Sequence, residues 1–113
     1  MMKLANYMAA IDGTNHTPAI DPEEIEILGA YVSDMLSDVM GSAKPDQVWI
    51  TIMKHLNVIA VASMTGVPAI ILAKGNVPDA AVCDKALEES ICIISSKLST
   101  FELSGILYSM LKA

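Results

Sequence analysis

Polar side chains capable of chemistry are sparse in this chain and gather in short clusters between apolar runs. Ser33, Asp34, Ser37 and Asp38 form one cluster, and Thr51, Lys54, His55 and Asn57 a second. Lys74, Gly75 and Asn76 form a third, and Ser95, Ser96 and Ser99 a fourth. His55 next to an aspartate such as Asp34 is a chemically reasonable general base with its orienting partner, since imidazole titrates near neutrality. Ser37, His55 and Asp34 make a hydrolytic set on paper, and Asp34, Asp38 and His55 a metal-binding one. The motifs that give such sets their geometry are missing. Gly41-Ser42-Ala43-Lys44 lacks the earlier glycine of a phosphate-binding loop, and Pro45 removes a backbone donor there. Neither a G-x-G-x-x-G fingerprint nor a G-x-S-x-G elbow occurs. No catalytic residue, metal or cofactor is therefore expected, and the small enzyme built on His55 is the weaker alternative.

The binding reading gathers Ser33, Asp34, Ser37, Asp38, Thr51, Lys54, His55, Asn57, Lys74 and Gly75 into one rim for a small polar ligand, a nucleotide or an anion. Helix amino termini near Asp34, Asn57 and Asp79 would lend it backbone N–H groups. The competing account is that these residues cap helices and close loops, which must be polar because backbone ends need partners. Capping suffices for Ser33, Asp34 and Ser99. It does not explain a histidine or lysine at 55 and 74.

Composition bounds the partners. A chain of 113 residues is one domain with room for a core. With 53% hydrophobic residues and a mean hydropathy of +0.49, little polar sequence remains to cover it, which points to a homodimer that hides apolar surface. A net charge of −6 argues against nucleic acid as a partner. All basic residues are lysine, so no bidentate guanidinium fork exists for a phosphate or carboxylate. Residues 55–73 carry no Asp, Glu, Lys or Arg, yet Asn57, Ser63, Thr65 and above all Gly66-Val67-Pro68 break the run, which disfavours a membrane span. Residues 1–10 do not read as a signal peptide, and a cytoplasmic protein is expected. Cys83 and Cys92 match no metal or redox spacing and read as core residues.

The elements that must position these clusters follow from periodicity. Residues 26–32 read as a strand, although Asp21-Pro22 with Glu23 and Glu24 also suits a helix start. Ser33-Asp34 reads as the cap of a helix carrying Met35, Leu36, Val39 and Met40 and ending near Gly41. Residues 48–53 alternate Val48, Ile50 and Ile52 against Trp49, Thr51 and Met53, the pattern of a strand covered on both faces. A helix over 56–65 and a strand over 69–73 follow. The next helix is expected to begin at Pro78, with Val82, Cys83, Ala86 and Leu87 inward. A strand over 91–95 and a helix opened by the capping box Ser99-Thr100-Phe101-Glu102 complete the chain. Strand and helix thus alternate four times, which predicts an α/β domain over 21–113 with a mainly parallel sheet of about four strands and helices on both faces. Residues 1–20 read as a separate segment, a short helix or edge strand over 3–10 followed by turn-forming sequence.

Several strings carry a family likeness: the run 29–40 (Gly29-Ala30-Tyr31-Val32-Ser33-Asp34 onward), Val48-Trp49-Ile50-Thr51 with His55-Leu56-Asn57, Gly66-Val67-Pro68-Ala69-Ile70-Ile71-Leu72, Pro78-Asp79, and the run 99–105 from Ser99. Over about 27–111 the chain resembles small stand-alone proteins of the DRTGG-domain type, related to the amino-terminal domain of HPr kinase/phosphorylase. The resemblance implies a regulatory or dimerising α/β module without kinase machinery. It also implies that stand-alone members accompany hydrogenase or electron-transfer components and serine-phosphatase-type regulators. His55-Leu56-Asn57 stands where the family places its Asp-Arg pair, and Ala73-Lys74-Gly75 where it places Thr-Gly-Gly. The wider family's ligand preference is therefore not carried over to this chain.

Overall fold

The computed structural model describes all 113 residues. Four strands alternate with four helices: β4 (Gly29–Val32), α2 (Leu36–Ser42), β5 (Gln47–Thr51), α3 (Leu56–Thr65), β6 (Ala69–Leu72), α4 (Ala80–Glu88), β7 (Cys92–Ser95) and α5 (Thr100–Lys112). Ahead of them lie β1 (Met2–Lys3), α1 (Leu4–Ala10), β2 (Thr14–Asn15) and β3 (Glu26–Ile27). The main sheet runs β2-β7-β6-β5-β4. Its last four strands are parallel, and β2 is an antiparallel edge. The predicted α/β class and parallel sheet are thus observed, with β2 as a fifth strand.

The strand order dictates where the helices go. From β4 to β7 each crossover moves one strand in the same direction, and right-handed crossovers then place all three intervening helices on one face. Val39, Val58, Ile59, Ala62, Val82 and Ala86 of those helices pack against Trp49, Ile70 and Ile93 of the sheet. The alternate residues Val48, Ile50, Ile71 and Ile94 point to the other face, which no crossover helix reaches. That face is covered by Leu103 and Leu107 of α5 and by Leu4, Tyr7 and Ile11 of the N-terminal segment. Helix α1 has only 7 residues and no side-chain cap, so tertiary packing must hold it in place. The buried Tyr7 hydroxyl donates to the Leu103 carbonyl at 2.8 Å and ties α1 to α5. Burial pushes that phenol well above its ordinary pKa.

Several local expectations shift. Leu28 breaks the strand read over 26–32, and the two parts join different sheets. Both readings of 21–26 hold in part: Asp21 caps a 3-10 turn at Pro22–Glu24, and β3 follows it. The first crossover helix starts at Leu36 with Met35 at its cap position, not with Ser33-Asp34. The Ser33 hydroxyl accepts from the Met35 N–H two residues on, and Asp34 turns toward β5. Helix α4 starts at Ala80, because Asp79 takes the capping role by accepting from the Val82 N–H; Pro78 lies outside it. Of its four residues read as inward, Val82 and Ala86 are buried, Cys83 is half-buried and Leu87 is 37% exposed. The box Ser99–Glu102 forms as read.

Removing core volume contributed by residues 1–20 tests this arrangement. Leu4 is fully buried. Leu4→Ala is expected to cost about 2–5 kcal/mol in urea unfolding, the range for a buried leucine. A midpoint equal to that of the wild type would show that the segment does not belong to the core.

Candidate functional site

The ten rim residues do not line one groove. On the β4–β5 side they satisfy each other or the backbone. Asp34 accepts from the Thr51 hydroxyl at 2.7 Å and from the Ile52 N–H at 3.1 Å. Trp49 Nε1 donates to the Ser33 carbonyl at 2.8 Å, and the Tyr31 hydroxyl bonds the Asp38 carboxylate. These contacts clamp the chain after β4 onto the end of β5. Ser37 is exposed, and no hydrogen bond joins Ser37, His55 and Asp34. The amino terminus expected near Asp34 belongs to a helix of 7 residues that Asp34 does not cap.

Lys54, His55 and Asn57 are exposed at the start of α3. His55 occupies the cap position without a capping bond. With Leu56, Asp79, Ala81 and Val82, His55 and Asn57 line a groove of about 390 Å³. The Asp79 carboxylate already fills the amino terminus of α4 there.

The third cluster lies where the sheet changes the side to which its connections lead. The chain leaving β6 goes to α4 on one face, whereas the chain leaving β7 goes to α5 on the other. A parallel sheet opens a crevice beyond the carboxyl ends of its strands at such a switch point. A groove of about 530 Å³ lies there, walled by Gly75 and Val77 after β6, Ser95 to Leu98 after β7, and Ile11 to Thr14 with His16 from the N-terminal segment. It is the largest of three grooves and falls within the usual range of small-molecule sites.

Local geometry fixes its walls. Lys74 and Gly75 turn back in the left-handed region (φ 60° and 73°), and their N–H groups donate to the Leu98 and Ser96 carbonyls. The glycine suits that turn, whereas Lys74 adopts the conformation with a side chain, a placement that needs support from its surroundings. On the opposite wall Asp12 is also left-handed (φ 51°). A Cβ on Gly13 would lie 2.6 Å from Ile94 Cγ2, so this loop passes against β7 only as glycine. The loop feeds β2, which places His16 Nε2 2.7 Å from Ser95 Oγ. The Ser96 hydroxyl donates to the Ile11 carbonyl and accepts from the Leu98 N–H, closing the floor.

Lys74 and Gly75 are thus brought to this groove or its edge, while the other eight rim residues lie elsewhere. Asp12, His16 and Lys97 were not singled out from sequence. Their signal is tertiary, since Ser95 and His16 are 79 positions apart and meet only through the β2–β7 pairing. No three His, Cys, Asp or Glu side chains gather closely enough to hold a metal ion. Burial raises the pKa of both thiols, with Asp84 and Asp79 adding to the effect at Cys83, so neither is held as a reactive thiolate.

No family model and no curated protein matches the chain. Its fold matches a crystal structure of the CBS and DRTGG domains of the regulatory region of Clostridium perfringens pyrophosphatase, complexed with the activator diadenosine tetraphosphate. The TM-score is 0.71 at 14% sequence identity. The alignment covers 93% of this chain and 45% of that one, so the present chain spans less than half of that regulatory region. The likeness is one of fold. No helix of the chain is long and apolar enough to cross a membrane.

The position of His16 has a consequence for stability. Burial lowers its pKa from 6.5. In the unfolded chain the imidazole regains its ordinary affinity for protons, so between the two values the unfolded state binds more of them. The contribution of neutral His16 is therefore complete above 6.5 and is lost as pH falls through the folded value. Urea midpoints measured on both sides of pH 6.5 should fall on the acid side, and less steeply in His16→Gln. Parallel curves for the two proteins would sink the assignment.

Proposed function

We propose that this chain is a cytoplasmic, non-catalytic regulatory domain of the DRTGG type, which binds a small polar ligand, a nucleotide or an anion, beyond the carboxyl ends of β6 and β7. The observation that carries this reading is that the largest groove coincides with the switch point of the sheet. Six of its eleven lining residues, Asp12, Thr14, His16, Ser95, Ser96 and Lys97, are polar or charged, and Ile11, Val77 and Leu98 add apolar surface. Two further facts support it. The structural neighbour is a regulatory region crystallised with a nucleotide activator. Several strings of the sequence resemble those of DRTGG proteins, a resemblance that extends to the amino-terminal domain of HPr kinase/phosphorylase, and the chain has no phosphate-binding loop.

A thermal-shift panel of nucleotides, acyl phosphates, sugar phosphates and simple anions tests the reading directly. A ligand present at ~100 times its dissociation constant adds about 2.7 kcal/mol. For a domain of this size that raises the Tm by several degrees. A panel without a single shift would remove the ligand-sensing function.

The free edge of the sheet favours a second role, as a homodimer. β4 is Gly29-Ala30-Tyr31-Val32, without the lysine or proline that commonly protects an open edge. Leu28 beside it, Val32 at its end and Tyr108 of α5 are exposed, and a groove of about 490 Å³ runs between this edge and α5. Two copies meeting edge to edge would form a closed, isologous pair. As an accessory module of a hydrogenase, electron-transfer or phosphatase-signalling system, the chain would present the same surface to its partner protein. Sedimentation across a concentration series should give a dimer for the wild type and a monomer for Val32→Lys. A wild-type monomer at every concentration would eliminate this interface.

A further inference from the structure

The charged groups of the switch-point groove narrow the class of ligand, given that a ligand binds there as proposed above. Lys97 and Asp12 both line the groove, and neither takes part in any of the chain's three ion pairs. Both are exposed and free to meet a ligand. One unpaired cation and one unpaired carboxylate in the same cleft suit a molecule with an anionic group and, apart from it, hydroxyl donors. The His16–Ser95 pair adds uncharged donor and acceptor capacity. Val77, which is 50% exposed, and Leu98 supply apolar surface of the kind that receives a flat ring.

The same groups set an upper limit on ligand charge. Lys97 is the single lysine in the lining, Lys74 adjoins it, and the chain has no arginine with which to clamp a string of phosphates. Asp12 and the net charge of −6 oppose each further negative charge. A dinucleoside tetraphosphate, the kind of activator found with the structural neighbour, brings a chain of phosphates that this groove lacks the cations to neutralise. A single phosphate does not.

We propose that the groove between the Asp12–His16 loop and the ends of β6 and β7 takes a nucleoside monophosphate. Lys97 and the His16–Ser95 pair hold its phosphate, Asp12 accepts from the ribose hydroxyls, and Val77 with Leu98 faces the base.

Calorimetric titration of the full chain with AMP, CMP, adenosine, ribose phosphate, inorganic phosphate and diadenosine tetraphosphate tests this. AMP or CMP should bind at least about tenfold more tightly than each of the others, the scale of one charge-assisted contact. Lys97→Ala should weaken the nucleotide about tenfold or more. Asp12→Asn should weaken the nucleotide and leave inorganic phosphate unchanged, and His55→Ala should change nothing. Both Lys97 and Asp12 are exposed, so these variants keep the core intact. Tighter binding of diadenosine tetraphosphate, lost in Lys97→Ala, would overturn the monophosphate class and leave the regulatory reading standing. Nucleotide binding that survives Lys97→Ala and fails in His55→Ala would overturn the site. Ribose phosphate equal to AMP would overturn the role given to Val77 and Leu98, and with it the nucleotide. If no compound binds, this proposal falls together with the ligand-sensing function.

Discussion

The architecture depends on one constraint: four parallel strands laid down in chain order can receive their crossover helices on only one face. The sheet is apolar on both sides, so the second face must be covered from outside the repeated strand-helix units. Helix α5 covers part of it after the last strand, and α1 covers the rest before the first. The need to cover that face brings residues 1–20 into the same core as β5, β6 and β7. It also sends the chain leaving β7 to the side opposite the chain leaving β6. The crevice at that divergence is a consequence of burying apolar surface.

Polar groups near the sheet ends divide into those used by the fold and those left over. Asp34, Thr51, Tyr31, Asp38, Ser33 and Ser96 are bound to one another or to the backbone. Thr17 is buried and both accepts from the Ile93 N–H and donates to Asn15, anchoring the loop that carries His16. No buried side-chain nitrogen or oxygen lacks a partner. An unpaired buried polar group costs about 1–3 kcal/mol, so near-complete pairing is the ordinary requirement of a stable domain. Groups that escape it, such as Asp12 and Lys97, do so because they face solvent across an open groove. Their availability follows from where the fold stopped needing polar partners.

Charge bears on function in a similar way. A domain this acidic repels polyanions over most of its surface, and its few lysines can offset that only locally. Apolar surface is also left over. Phe101 is 85% exposed and Tyr108 65%, on a helix whose inner side is fully packed. Tyr108 lines the groove along the free β4 edge, and none of the residues of that groove lines the one at the switch point. The proposed ligand groove and the proposed association edge therefore share no lining residue.

Much of the architecture was legible in the sequence, because it is written in local periodicity. The helix over 56–65 ended by Gly66 in the left-handed conformation and the Ser99–Glu102 box form as read, whereas the alternation read over 48–53 holds only to Thr51, beyond which Ile52 is exposed. The strand-helix alternation was sufficient to give the α/β class and the parallel sheet. Local signals misled where two polar residues competed for one role. Asp34 looked like a cap, but the end of β5 offered it a hydroxyl and an N–H, and Asp79 took the cap that Pro78 seemed to open. The candidate groove was hardly legible at all. Its walls come from three separate stretches of chain, and His16 reaches Ser95 only because β2 pairs with β7. By itself the sequence determined which segments become strands and helices and that both sheet faces are apolar, since those properties repeat over a few residues. Only the tertiary structure decided which strand end opens a crevice and which side chains line it. That depends on the face each connection takes, a choice made by burying the whole sheet and marked by no single residue.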